Sequence, residues 1–331
     1  MKKFFIFFIG IIFVILIFGF LIFKFGELER KGADAQDFDN GRNLSQSSFE
    51  SKELNGFSLS PRSFSPEDFS NFFIKAEEGG DAITGGEDLE KLANQNAAPY
   101  VVAGIAKQRD YEPIVLIGLK NIKEVDENKK VLLLNFLDKH EINYLGLGVE
   151  ANRYEDYDAY SKVYNDLYEF VKEKYPNIQI FPIYQYEEMR GLRGGLFGGT
   201  NDENSVQWNL LDKVKFDMIG FTTYPGIIYK TPAEIPDNYY LEIKKYTAKP
   251  VVFTEIGWFG EFDSIVGWES SEKEQAEFVE RYFLLTNDLD VRLNIWSFLY
   301  AQGGDELFSK MGLLNEGEES SLGFDAWKKG N

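Results

Sequence analysis

Apolar and polar positions fall into three regimes along this chain. The run FFIFFIGIIFVILIFGFLIF, Phe4–Phe23, carries no charge and no strong polar group. It is about 20 residues long, the length of one bilayer-spanning helix. A cleaved signal peptide is the alternative, with the small-x-small tripeptide at Ala33–Ala35 as its cleavage site. The apolar run is longer than the ~7–15 residues of a signal core, and the tripeptide lies well beyond it. The reading is therefore an anchor in the lipid bilayer through residues 4–23. Lys2 and Lys3 precede the run and Lys24, Arg30 and Lys31 follow it, so basic residues do not orient it. The short N-terminal tail makes an extracytoplasmic body the simpler arrangement, and signal cleavage would release that body as a secreted protein. Residues 26–51 are too poor in apolar side chains to fold alone and read as a flexible linker. The division is thus an anchor at 1–25, a polar linker at 26–51 and a folded body at 52–331.

From Leu54 onward, short β-rich runs alternate with amphipathic stretches. Strands are predicted at Gly56–Pro61, Asp81–Thr84, Glu112–Leu119, Ile142–Glu150, Ile178–Gln185, Phe216–Pro225, Pro250–Glu255 and Arg292–Tyr300. The first helix should start at Ser65 as N-cap with Pro66 in its first turn. Helical stretches follow at Glu87–Asp110, Val125–His140, Asp156–Pro176, Ser205–Val214, Ala233–Thr247, Ser271–Asn287 and Leu322–Lys329. The long one should stop before Pro176, because a residue preceding proline is disfavoured in helical conformation. Strict alternation calls for a parallel sheet, and eight such units close into a (β/α)8 TIM barrel preceded by the transmembrane helix and linker. An open doubly wound sheet would want G-x-G-x-x-G after its first strand, and GFSLSPRSFS lacks it. The glycine-rich Gly191–Gly199 has no P-loop lysine and reads as a mobile loop at the barrel mouth.

Composition narrows the chemistry. The formal charge is −19, which excludes nucleic acid held by phosphate neutralisation. With no cysteine there is no thiolate nucleophile or thiolate metal site. His140 is the one histidine, so zinc sites rich in histidine and most imidazole proton relays are excluded. It sits at a helix end, where the dipole favours a cation.

Active sites of such barrels lie at the C-terminal ends of the strands. The polar and aromatic residues there are Glu150 after the fourth strand, Gln185 and Tyr186 after the fifth, and Thr222, Thr223 and Tyr224 after the sixth. Glu255 and Trp258 follow the seventh, and Trp296 lies on the eighth. Two acids facing across the mouth suit cleavage of a glycosidic bond through an oxocarbenium-like transition state. A carboxylate nucleophile also lets the reaction run without cysteine or a histidine base, and needs no metal or organic cofactor.

The stretches YLGLGVEANRY, GFTTYPG, VVFTEIGW and IWSFLY resemble the fourth, sixth, seventh and eighth strands of the clan A retaining glycoside hydrolases. TEIGW beside GFTTYP is most similar to the endo-β-1,4-galactanases and their relatives. The resemblance covers roughly Leu54 to the C-terminus. It implies Glu150 as general acid/base, Glu255 as nucleophile, Tyr224 hydrogen-bonded to Glu255, and Trp296 as a platform under the sugar. It also implies carboxyls about 5–5.5 Å apart, with the upward pKa shift on Glu150. Trp258, Asn152 and Gln185 complete the expected substrate-binding set. The clan has asparagine before its acid/base, whereas this chain has Val149, which cannot donate to a sugar 2-hydroxyl. Asn152 could substitute if the strand end is bulged.

The sequence thus reads as a membrane-tethered glycoside hydrolase acting on a β-linked polysaccharide or oligosaccharide. The alternatives are a non-catalytic carbohydrate-binding or surface scaffold barrel, favoured by Val149, and an envelope transglycosylase that hands the covalent sugar to another hydroxyl.

Overall fold

Among the described residues, nine parallel strands form one sheet in the computed structural model, which describes residues 53–330 apart from 121, 264, 266, 304–306, 316, 318 and 319. The apolar run at 4–23 and the linker at 26–51 lie outside those residues. Among the described residues, no helix is long and apolar enough to cross a membrane.

The strands are β1 (Leu54–Ser58), β2 (Ala82–Asp88), β3 (Glu112–Gly118), β4 (Tyr144–Leu147), β5 (Gln179–Phe181), β6 (Ile183–Gln185), β7 (Ile219–Thr223), β8 (Val251–Ile256) and β9 (Val291–Trp296). Their order is β5-β4-β3-β2-β1-β9-β8-β7-β6. Only Pro182 separates β5 from β6. The first of these segments pairs with β4 and the second with β7. Proline has no N–H for the ladder, yet its carbonyl still accepts from Gly220 N at 2.9 Å. Counted as one strand interrupted at Pro182, the two segments join both ends of the sheet into a TIM-like barrel.

Alternation along the strands builds two cores. Ala82, Ile114, Leu116, Phe181, Ile183, Val252, Leu293 and Ile295 point inward and fill the barrel. Their neighbours Ile83, Val115, Ile117, Ile180, Phe253 and Trp296 point outward into the layer beneath the helices. That layer is covered by α1 (Pro66–Ala76), α2 (Ala98–Arg109), α3 (Glu127–Leu137), α4 (Tyr157–Lys174), the short α5 (Tyr186–Met189), α6 (Glu272–Thr286) and α7 (Leu322–Lys329). Ser65 caps α1 by accepting from Asp68 N, with Pro66 in its first turn. Helix α4 ends at Lys174, short of Pro176. His140 follows α3 with its ring 5.0 Å from Phe136 and 5.4 Å from Tyr100.

Three stretches depart from the sequence expectation. Strand β2 runs on to Asp88, and the stretch expected to be helical from Glu87 is a 3₁₀ turn (Leu89–Ala93) before α2. Gly85 permits this, because a Cβ there would lie 2.7 Å from the carbonyl oxygen of Ala98, so α2 approaches the strand too closely for any side chain. The helices expected at Ser205–Val214 and Ala233–Thr247 are 3₁₀ turns, Trp208–Lys213, Pro232–Glu234 and Leu241–Lys245. Ile235, which precedes Pro236, is extended at φ −70° and ψ 123°, and the buried rings of Trp208, Tyr239 and Tyr240 anchor these turns by packing.

The last helix closes the barrel. Trp327 is fully buried, donates its indole N–H to Gly79 O at 2.9 Å, and lies 6.0 Å from Phe57 and 5.6 Å from Trp296. It seals the seam between β1 and β9. Trp327→Ala should cost about 3–5 kcal/mol, the range for deleting a buried large aromatic. Chemical denaturation monitored by circular dichroism checks this, and a loss below 1 kcal/mol would mean that α7 merely decorates the barrel.

Candidate active site

A β-bulge decides where Glu255 points. Register between β7 and β8 runs Phe221↔Phe253 and then Thr222↔Glu255, so Thr254 is an extra residue. Val252 faces the barrel interior and Phe253 the helices. Unbroken alternation would send Glu255 outward with Phe253, whereas the bulge resets the parity and turns its carboxyl into the mouth. Ile256 then returns to the helix-facing layer.

Glu150 reaches the same mouth by another route. Strand β4 ends at Leu147, and the chain turns through Gly148 at φ 82° and Glu150 at φ 49°, ψ 46°. A left-handed glutamate is strained by roughly 1–2 kcal/mol. Its carboxyl accepts from Thr222 Oγ1 at 2.9 Å and from Arg153 Nη1 at 2.8 Å. Arg153 Nε also meets Glu188 Oε1 at 3.2 Å. Asn152 fastens this turn to β6, with Oδ1 accepting from Gln185 N at 2.8 Å and Nδ2 donating to Gln185 O at 3.1 Å.

The two carboxyls are unequal in their surroundings. Burial first, and the charge of Glu150 second, push the Glu255 carboxyl up to about 7, against a lowering hydrogen bond from Tyr224. The Tyr224 hydroxyl donates to Glu255 Oε2 and lies 3.1 Å from Ser297 Oγ. The upward shift therefore falls on Glu255. Among the described residues Glu255 has no cationic partner, whereas Glu150 has Arg153.

Glu150, Thr222, Tyr224 and Glu255 converge, while the other expected substrate contacts do not. Trp296 cannot be a platform. Leu293 and Ile295 face inward, so alternation turns Trp296 outward, fully buried, with its indole N–H on Met311 O at 3.0 Å. Trp258 is likewise core, stacked 4.9 Å from Phe278 and donating to Ser270 Oγ at 3.2 Å. Asn152 spends its amide on Gln185 and on Gln207 Oε1 at 2.9 Å, so it does not replace the missing asparagine. The buried Gln185 accepts from Glu188 N at 2.7 Å and donates to Glu187. Val149 packs on the inner barrel core and offers the mouth no donor.

Other rings border the mouth instead. Half-buried Phe197, Trp268, Phe298 and Phe308 pack against the small apolar cluster that includes Tyr224, with Phe308 edge-on to Tyr224 at 5.3 Å. Phe197 belongs to the Gly191–Gly199 segment, whose Gly195 abuts Trp268 and Ile227, so that segment does lie at the mouth. No periodic signal marks these rings, because they come from three different loops.

The raised carboxyl has a thermodynamic consequence. Glu255 takes up its proton near pH 7 in the folded chain and near 4.5 when unfolded, so the folded state binds it more tightly. That contribution to stability is fully present below about 4.5 and lost as pH rises through about 7. Above it, ionised Glu255 costs on the order of 3 kcal/mol. Glu255→Gln should therefore raise Tm by several degrees near pH 8, a gain that shrinks toward pH 5. Calorimetry at both pH values checks this, and a lower Tm for the variant at pH 8 contradicts it.

No protein-family model matches the chain, and no curated protein matches it. Solved structures do. A family 39 glycoside hydrolase from the gut symbiont Bacteroides cellulosilyticus WH2 aligns with TM-score 0.54 and 16% identity over 83% of this chain, which spans 62% of that one. A β-1,3-glucanosyltransferase of Rhizomucor miehei aligns at 0.53 and 13%, over 79% of this chain and 93% of that one. A family 128 endo-β-1,3-glucanase from Amycolatopsis mediterranei aligns at 0.52 and 14%, over 84% and 99%. At such identities the likeness is one of fold alone, a TIM-like barrel that these enzymes share.

Proposed function

We propose that the chain is a retaining glycoside hydrolase acting on a β-linked glycan. The reading is carried by one observation: two carboxyls, one after β4 and one on β8, converge at the barrel mouth, Glu150 held by Thr222 at the end of β7 and Glu255 by Tyr224 just beyond it. Glu255 attacks the anomeric carbon while Glu150 gives its proton to the leaving oxygen. Glu150 then takes a proton from water, whose oxygen displaces Glu255. In the unliganded site the raised carboxyl is Glu255, so the productive complex needs that proton moved to Glu150. Tyr224 steadies the ionised Glu255, and Phe298, Phe308 and Trp268 offer apolar faces to sugar rings. Val149 withholds a contact to the 2-hydroxyl, so turnover is slow for the class.

The apolar run at 4–23 anchors this body to a bilayer, with the mouth outside the membrane. Similarity to a β-1,3-glucanosyltransferase favours transfer as a second reading, in which another sugar hydroxyl takes the place of water.

The test offers laminarin, β-1,4-galactan, mixed-linkage β-glucan, mannan and xylan to the chain and counts new reducing ends. Release by the parent should vanish in Glu255→Gln and fall by about 10²–10⁴-fold in Glu150→Gln, the usual weight of general acid–base catalysis. Undiminished hydrolysis by Glu255→Gln would end this reading. Because the reaction needs one proton on the pair, and the pair loses it as pH rises through about 7, kcat/KM should fall about tenfold per pH unit above about 7. Products longer than the substrate in mass spectra would mark transfer.

A further inference from the structure

Behind Tyr224 lies a carboxyl that the proposed reaction does not use. Glu187, in α5 two residues past β6, is fully buried. Its Oε1 accepts from Thr223 Oγ1 at 2.8 Å, from the Tyr239 hydroxyl at 3.0 Å and from the Tyr224 backbone N–H at 3.2 Å. Gln185 Nε2 donates to its Oε2. Thr223 Oγ1 is also 2.9 Å from the Tyr240 hydroxyl. One side chain thereby ties the ends of β6 and β7 to the turn at 239–240. Burying a carboxyl is costly, and burial pushes this one's pKa upward against four lowering hydrogen bonds.

What the cost secures is visible at Tyr224. Strand β7 ends at Thr223, and Tyr224 adopts φ −138°, ψ 66°, outside both strand and helix geometry. Its N–H has passed the end of the ladder, and Glu187 supplies the acceptor that another strand residue would have offered. The same residue's phenol reaches Glu255. We propose that Glu187 is a positioning residue, holding the Tyr224 backbone so that the Tyr224 hydroxyl stays on Glu255. This rests on reading Glu255 as the nucleophile.

The experiment compares Glu187→Ala and Glu187→Gln, each alone and with Tyr224→Phe, on whichever glycan the parent cleaves. Glu187→Ala should lower kcat about 100-fold, the scale of a displacement near 1 Å at a reacting group, with KM changed less than about 3-fold. Glu187→Gln keeps an oxygen for Thr223, Tyr239 and Tyr224 N–H but sets its amide nitrogen against Gln185 Nε2, and should restore only part of the rate. In the Tyr224→Phe background Glu187→Ala should cost little more, because the two act on one interaction. A full 100-fold loss in that background would overturn the proposal.

A second readout needs no turnover. In ¹³C-tyrosine-labelled protein, the Tyr224 Cζ resonance, assigned by Tyr224→Phe, should move in Glu187→Ala and move less in Glu187→Gln. If the parent cleaves no glycan, the hydrolase reading has failed, and this resonance alone decides the positioning role. An unmoved resonance overturns it. Should Glu187→Ala not fold, Tyr239→Phe removes a single donor to Glu187 and should shift the same resonance in the same direction by less, no shift again overturning the proposal.

Discussion

Strand parity governs this molecule. Both faces of the barrel strands are buried, so each residue is committed either to the inner core or to the layer beneath the helices. Reactive side chains must therefore sit at inward positions at the C-terminal end or leave the alternation altogether. Ser297 takes the first route, continuing the inward series Leu293, Ile295 until its hydroxyl meets Tyr224. Glu255 takes the second through the bulge at Thr254. The rule that delivers Ser297 also buries Trp296, and no rotation of the tryptophan side chain undoes a parity set by the backbone.

The electrostatics follow from how each acid arrives. Glu150 sits on a turn beyond its strand, where Arg153 and Thr222 reach it. Glu255 is held within the strand by the ladder, where the Tyr224 hydroxyl bonds it and burial penalises its charge. Two carboxyls brought close in a chain of net charge −19 would repel, and the asymmetry answers this by setting Arg153 on Glu150 while the pKa of Glu255 rises. Such pairs cost stability and persist where chemistry uses them.

Much of this was legible in the sequence, and the limits were physical. Strict alternation of elements gave the barrel, and Ser65-Pro66 and Pro176 gave helix ends, because those signals are local. Collecting polar residues at strand ends singled out Glu150, Tyr224 and Glu255, and the structure brings these side chains to one end of the barrel. The bulge left no mark, because Thr254 fits a strand as well as a bulge. Glu187 was invisible, since EEM after a strand reads as a solvated turn until tertiary packing closes over it. The failed helix at 233–247 shows packing and Pro236 overriding composition. Asn152 and Gln185 lie at this end of the barrel, yet each spends its hydrogen bonds on backbone or on a neighbour, a use that only tertiary packing reveals.

The strained backbone at Glu150 connects these points. A left-handed glutamate persists only where its surroundings over-determine it. Here they do: Asn152 bonds both backbone groups of Gln185, Tyr154 O–H lies 3.1 Å from Val149 N, and Arg153 spans Glu150 and Glu188. Three successive residues after the acid are spent on fixing its turn. A glycine at 150 would relieve the strain, and an asparagine would tolerate it better, so neither conformation nor packing calls for glutamate there. The carboxyl is what the position gains. By the same logic Asn152 had no freedom to serve a sugar, because its amide is part of what keeps that carboxyl aimed into the mouth.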